Sequence, residues 1–177
     1  MNDSGTRDLA ARIYQHAHLT GDFVLSTGER STEYFDCYTW QGDPALLREV
    51  AERMTALLPA DTEVITGPDL GGVPLTVLLA QITGLPAAFV RKQARDYGTC
   101  KIIEGAEVAG RRVVAVEPAI KTGRFIMGTC TELRGAGAEV NRVVCAVDRE
   151  HGAPERLAAK GLDFGALFTM GDLARAR

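Results

Sequence analysis

No stretch of the 177 residues approaches the run of about 18 apolar residues that spans a bilayer. The first residues, MNDSGTRDLAARIYQ, lack a basic segment followed by an apolar one, so no secretory leader is expected. Aromatic residues are scarce at 6%, which argues against a stacking platform for nucleic-acid bases. An excess of positive charge is also missing: 20 Lys and Arg face 23 Asp and Glu, for a net charge of −3. That excludes a globally basic nucleic-acid coat while leaving room for a local basic site. The four cysteines, Cys37, Cys100, Cys130 and Cys145, form no Cys-x-x-Cys pair and have no His at zinc-ligand spacing. Reduced thiols and a cytoplasmic location are the corresponding expectation.

What is present is ordinary globular composition, 46% hydrophobic and 24% charged. At roughly 150 residues per domain the chain amounts to about one domain. Such a length buries about 70% of its unfolded surface and needs no disulfide or metal to fold. Lysine is rare beside arginine, yet Lys92, Lys101 and Lys121 fall in two short central segments. Chance placement on solvated faces and a functional role both remain open for them.

Residues 6–19 place Leu9, Ile13, Tyr14 and Ala17 at helical spacing. The segment GDFVLSTGERSTEYFDCYTW is strand-like around a Thr-Gly turn and predicts a hairpin. Asp43-Pro44 then supplies an N-cap and a first-turn proline for the helix ALLREVAERMTALL. Beyond it, apolar strands at TEVITG, PAAFVR, RRVVAVE and EVNRVVCAV alternate with helical VPLTVLLAQITG, FIMGTCTELRGAG and PERLAAKG. That alternation predicts an α/β fold with a mostly parallel sheet covered on both faces. Ligands of such sheets bind beyond the carboxyl ends of the strands, so the residues following each strand are the informative ones.

Four strand ends carry unusual residues. GPDLGGVP offers paired glycines at a helix entrance, suited to close backbone approach or simply to a tight turn. The long non-periodic stretch from Lys92 to Ala109 follows Arg91 and contains Lys92, Arg95, Tyr97 and Lys101. Cations of that density on a long loop suit a polyanion that must be closed over, or else a solvated loop. Lys121, Thr122, Gly123 and Arg124 open a helix with two cations, a hydroxyl and free N–H donors. They form a plausible phosphate cradle without Walker order, or an ordinary helix start. Last comes Asp148-Arg149-Glu150-His151-Gly152, where Arg149 offers a planar fork for a carboxylate or imide edge. Taken alone, an ion pair with Asp148 is the simpler account of Arg149. The histidines show no metal partner. Together the strand ends describe a small α/β protein holding a phosphorylated, multiply anionic ligand.

Over nearly its whole length the chain resembles the orotate phosphoribosyltransferases, a type I phosphoribosyltransferase family. FVLSTGERSTEYFD resembles the family's hood segment, GPDLGGVPL its first ribose-phosphate loop, FVRKQARDYGTCKIIEG its flexible catalytic loop, and VDREHG the segment carrying an orotate-contacting Arg. The resemblance implies one phosphoribosyltransferase domain over residues 1–177, with a small hood formed mainly by residues 1–40 and a flexible loop at 92–109. It implies a pentosyl transfer of pyrimidine biosynthesis, in which orotate and phosphoribosyl pyrophosphate (PRPP) give orotidine 5′-monophosphate and pyrophosphate. Mg²⁺ would be held through PRPP, with no direct protein ligand. The catalytic residues carried over are Lys92, Arg95, Tyr97 and Glu117. PRPP would be bound by Arg91, Lys92, Arg95, Tyr97, Glu117, Pro118, Ala119, Ile120, Lys121, Thr122, Gly123, Arg124 and Phe125. Orotate would lie against Tyr34, Phe35, Lys121 and Arg149. A homodimer with shared sites is implied, the loop tip reaching the neighbour while Lys92 stays in its own subunit; no nucleic acid or membrane is implied.

Five positions depart from the family pattern. Pro118 stands where a second acid holds the ribose hydroxyls, and a lost hydrogen bond to a charged group costs about 1.5–3 kcal/mol, roughly 10- to 150-fold in rate. Lys121 and Arg124 replace small hydroxyl residues; they either tighten the grip on the 5′-phosphate or, in the case of Arg124, fill its pocket. Arg95 and Tyr97 replace Lys and His. Two alternatives follow: a catalytically impaired nucleotide-binding homologue with a regulatory or accessory role, or a transferase for a different carboxylated base.

Overall fold

The structure is a computed structural model describing residues 4–25 and 28–177. Helix α1 (Ser4–Ala17) turns Leu9, Ala10, Ile13 and Ala17 inward, at the spacing read from the sequence. It leads into an antiparallel hairpin, β1 (His18–Val24) and β2 (Arg30–Phe35), with His18 opposite Phe35. Of the expected Thr-Gly turn, Thr27 lies outside the described residues.

The strand-like reading of the following Cys-Tyr-Thr-Trp gives way to a short helix, α2 (Cys37–Gln41). Its cause is local: the Asp36 carboxylate accepts from the Tyr38 N–H and caps the turn. Asp43 repeats the device for α3 (Pro44–Met54), accepting from the N–H groups of Ala45 and Leu46 at 2.9 and 3.0 Å, with Pro44 in the first turn.

The main sheet follows. Its strands are β3 (Val64–Pro68), β4 (Ala87–Val90), β5 (Ile103–Gly105), β6 (Arg112–Ile120), β7 (Glu139–Asp148) and β8 (Asp163–Thr169). They lie in the order β5-β4-β3-β6-β7-β8. Every pair is parallel except β4–β5. Helices α4 (Val73–Thr83), α5 (Arg124–Gly135) and α6 (Ala153–Ala158) make the crossovers, and α7 (Met170–Ala176) closes the chain behind a Thr169–Asp172 capping box. From β3 the chain steps outward to β4, and from β6 it steps the other way to β7. Right-handed crossovers therefore put α4 and α5 on opposite faces. Leu75 and Leu79 of α4 pack with α1, α3, Val114, Val116 and Val144. Ile126, Cys130 and Leu133 of α5 pack with Val113, Ala115, Val143 and Cys145. Among the described residues no helix is long and apolar enough to cross a membrane.

β5, β8 and α7 were not anticipated. β5 lies inside the stretch read as one long loop, and β8 is a half-buried edge strand with little β-branched character. β6 runs on through Pro118 to Ile120, so the turn to α5 is only Lys121 to Gly123.

Candidate active site

The parallel strands end together, and the residues beyond them converge. After β3 the backbone doubles back tightly. A Cβ on Gly67 would collide with Thr76 Oγ1, and one on Gly72 would lie 2.7 Å from Pro68 Cδ and 2.9 Å from the Val116 carbonyl. Only glycine fits this close approach. The Asp69–Leu70 peptide is cis. Among the described residues the N–H groups of Leu70 and Gly71 donate to nothing, because the turn's own bonds start at Asp69, Gly72 and Val73. Helix α2 braces it: Gln41 Nε2 donates to the Gly71 carbonyl at 3.2 Å.

After β6, Gly123 takes φ 75° and caps α5, a left-handed conformation that favours glycine. Among the described residues the Lys121, Thr122 and Gly123 N–H groups have no acceptor, and the Arg124 N–H reaches Thr122 Oγ1 at 3.5 Å. Free donors at the start of a 12-residue helix make the anion cradle expected from the sequence. Lys121, Arg124 and Phe125 are exposed, Thr122 is half-buried, and the Ile120 side chain belongs to the core. Ala119 packs against the opposite core cluster.

Glu117, near the end of β6, is 8% exposed and has no hydrogen-bond or ion-pair partner among the described residues. Burial pushes its carboxyl up to about 8. A Cβ on Gly71 would meet Tyr38 Oη at 3.6 Å, Pro118 Cγ at 3.8 Å and Glu117 Oε2 at 4.0 Å, so these groups face one another across the glycine turn. After β7, Arg149 does not pair with Asp148. The Asp148 carboxylate accepts from the Glu150 N–H at 2.9 Å instead. The freed guanidinium lies 5.4 Å from the centre of the Phe35 ring, half-buried, with its pKa lowered by desolvation. Tyr34 is exposed on β2, 5.5 Å from Phe23. The hairpin therefore brings the predicted Phe35 to Arg149, beside the carboxyl ends of the strands.

At the carboxyl ends of β3 and β4 lies a cavity of about 490 Å³. Arg91, Lys92, Thr122 and Arg124 line it, with apolar Val90, Ile102 and Phe125 and one acid, Glu132. Arg91 Nε is buried without a partner. None of the three cations forms an ion pair among the described residues, so the cavity presents three unpaired cations beside the single acid Glu132. Arg124 lines this cavity, and among the described residues its guanidinium makes no hydrogen bond or ion pair to the 121–123 turn. Arg95 and Tyr97 sit apart on the exposed loop, the guanidinium 5.2 Å from the ring centre.

Sequence reasoning missed Tyr38 and Gln41, which α2 delivers to the glycine turn. Their only local signal was the capping Asp36.

The phosphoribosyl transferase domain family matches residues 44–163. An orotate phosphoribosyltransferase of Nocardioides sp. is 47% identical over 169 residues, covering 96% of this chain and 94% of that protein. The Mycobacterium tuberculosis orotate phosphoribosyltransferase in complex with inorganic phosphate superposes with a TM-score of 0.85 at 27% identity, covering 97% of this chain and 99% of that one. The same enzyme in complex with PRPP gives 0.82 at 27% identity, over 96% and 98%. With this likeness over nearly its full length and its unpaired charges gathered at the carboxyl ends of a type I phosphoribosyltransferase sheet, the chain belongs to the orotate phosphoribosyltransferase family.

Proposed function

We propose that the protein transfers the 5-phosphoribosyl group of PRPP to orotate, giving orotidine 5′-monophosphate and pyrophosphate, as a step of pyrimidine nucleotide biosynthesis. The observation that carries this reading is the pairing of two unlike sites at one sheet edge. An unpartnered buried Glu117 and a free Arg149 stand beside a cavity with three unpaired cations.

Each charge has a use in that reaction. Arg149 presents a planar donor fork to the orotate carboxylate, with Phe35 and Tyr34 against the base. Glu117 meets the ribose hydroxyls, and a protonated or ionised carboxyl can serve them, since a hydroxyl both donates and accepts. Pro118 leaves the ribose with one protein carboxyl there rather than two. The N–H groups of 121–123 and the α5 dipole receive the 5′-phosphate, with Lys121 alongside. Lys92, Arg91 and Arg124 face the diphosphate, and Arg95 and Tyr97 reach it when the loop closes. As the bond from the anomeric carbon to the diphosphate breaks, negative charge grows on the leaving oxygens, and fixed cations stabilise it without reorganisation.

Mg²⁺ fits this donor set as an ion carried by the diphosphate. Among the described residues no three His, Cys, Asp or Glu side chains converge on a cage, whereas the oxygen-rich ligand and the Glu117 carboxyl would meet at the ribose. When bound it neutralises the leaving diphosphate. The protein acts as a single phosphoribosyltransferase domain, with the 1–40 segment as hood and the 92–109 segment as closing loop. It works as a cytoplasmic homodimer sharing sites across the interface.

A steady-state assay of pyrophosphate release with orotate, PRPP and Mg²⁺ tests this reading. Turnover near or above about 1 s⁻¹ is expected, within the usual enzyme range. Absence of turnover together with tight orotidine monophosphate binding in calorimetry would establish the nucleotide-binding homologue instead. Turnover only with another carboxylated heterocycle would reassign the base.

A further inference from the structure

Gly71 has no side chain, and the point where its Cβ would stand is open. Apart from the adjoining Leu70 and Gly72, the nearest atoms are Tyr38 Oη at 3.6 Å, Pro118 Cγ at 3.8 Å and Glu117 Oε2 at 4.0 Å. These are ordinary van der Waals separations, so the fold neither fills this point nor forbids an atom there. Gly71 differs in this from Gly67 and Gly72, where a Cβ would collide, and its φ lies outside the left-handed region. Packing and backbone conformation thus leave its missing side chain unexplained. Both oxygens that flank the space lack partners. Glu117 is buried, Tyr38 is exposed, and among the described residues neither the carboxyl nor the phenol makes a hydrogen bond. A ligand that completes a buried carboxyl offsets the cost of leaving it bare. Pro118 offers only ring carbons on its side, so the oxygen opposite Glu117 comes from α2. That helix is held in place twice. The Tyr38 N–H donates to Asp36 Oδ1 at 2.8 Å, and buried Gln41 donates to the Gly71 carbonyl at 3.2 Å. A phenol keeps its proton at physiological pH and can donate one hydrogen bond while accepting another. A hydroxyl donates to a carboxylate and exchanges either role with a phenol, so two neighbouring hydroxyls suit this pair of oxygens.

We propose that Tyr38 is a substrate-binding residue, its hydroxyl holding one ribose hydroxyl of PRPP while Glu117 holds the other, across the space that Gly71 leaves open. The inference rests on the reading of Glu117 as the ribose contact. It gives the sugar a second side-chain oxygen although Pro118 carries none, and it makes the site selective for ribose over deoxyribose.

The experiment is calorimetry on the whole protein and on Tyr38→Phe and Gly71→Ala. The ligands are orotidine 5′-monophosphate, its 2′-deoxy and 3′-deoxy analogues, and magnesium pyrophosphate, which has no sugar. Tyr38→Phe removes one oxygen from an exposed ring and should fold as the parent does. It should bind orotidine monophosphate about three- to tenfold more weakly, the scale of one neutral hydrogen bond. Pyrophosphate should bind it and the parent alike. The deoxy analogue that lacks the hydroxyl held by Tyr38 should also bind both alike, because the same bond is then removed from either side. Gly71→Ala places a methyl in the open space and should weaken orotidine monophosphate by about tenfold or more, the scale of one misfitting group in a pocket. If the nucleotide binds the parent but Tyr38→Phe binds it as tightly, the inference fails and the orotate reading stands. The same holds if the variant loses equally on the nucleotide and on both deoxy analogues. An equal loss on pyrophosphate would mean that Tyr38 acts on the glycine turn rather than the sugar, and overturns the inference. Unaltered nucleotide binding by folded Gly71→Ala overturns it too. Failure of orotidine monophosphate to bind the parent overturns both readings.

Discussion

The two ends of the parallel sheet use the same residue types in opposite ways. At the amino ends of the strands, most charge is satisfied within the protein, Arg142 with its unpartnered buried Nε being the exception. Arg112 pairs with Asp61 and Glu63 at 3.4 and 3.2 Å, and Arg111 reaches Glu63 at 3.4 Å. Glu63 also accepts from the Arg112 N–H, which holds its carboxyl below the usual range. Nearby, Arg134 donates to the Val140, Lys160 and Gly161 carbonyls. At the carboxyl ends, Arg91, Lys92, Arg124, Arg149 and Glu117 have no ion-pair partner among the described residues, and several backbone N–H groups have no acceptor. An unpaired, partly buried charge is costly, and a ligand that completes it offsets that cost. Arg142 apart, pairing rather than charge density separates the two ends of the sheet.

The sharpest way to break this comparison is to remove a charge from the open end. Arg149→Ala should lower kcat/KM for orotate by about 10²-fold, the scale of a lost charged hydrogen bond in a partly desolvated pocket. Steady-state kinetics checks it; a change under threefold would remove Arg149 from the base site. Arg124→Ala should lower kcat/KM for PRPP by roughly tenfold and leave the orotate KM nearly unmoved, the scale of one exposed cation on a polyanion. A rise in activity would mean that the Arg124 guanidinium obstructs the phosphate cradle.

The open end was legible in the sequence because strand ends are. Once β3, β4, β6 and β7 are read from their apolar runs, the position of Arg91, Lys92, Glu117, the 121–124 turn and Arg149 follows from parallel topology. What was not legible depends on contacts between distant segments. Asp148 sits beside Arg149 in sequence, but its carboxylate is taken by the Glu150 N–H, which frees the guanidinium for Phe35. Cys-Tyr-Thr-Trp has the aromatic and β-branched content of a strand, and one capping carboxylate turns it into the helix that carries Tyr38 toward Glu117. Edge strand β8, half-buried, lacks the apolar run that marked its neighbours.

Glu117 gives a test in the free protein. Its folded pKa, about 8, lies above the unfolded value, so the folded state binds the extra proton. Its contribution is full below about pH 4.5 and is lost as pH rises toward 8, by about 1.4 kcal/mol for each unit of pKa difference. Melting temperature should therefore fall between pH 5 and 8, and Glu117→Gln should flatten that fall. An identical slope in the variant would mean that the carboxyl is ionised in the folded state. Saturating PRPP should also flatten the slope in the parent if the ribose satisfies the carboxyl.

The smallest effect belongs at the paired end, and its smallness is the point. Arg112 is about half exposed, and its partners Asp61 and Glu63 lie in solvent reach. Exposed pairs contribute about 0–1 kcal/mol, because water and salt already screen them. Arg112→Ala should thus shift stability by no more than that and leave kcat/KM within about twofold, even though it removes more ion pairs than Arg149→Ala does. The decisive comparison is the pair of variants measured side by side. If Arg112→Ala slows transfer as strongly as Arg149→Ala, then unpaired charge is not what marks the site, and the amino end of the sheet also shapes catalysis. If only Arg149→Ala does, a free guanidinium at a strand's carboxyl end is the better guide to function than any count of salt bridges.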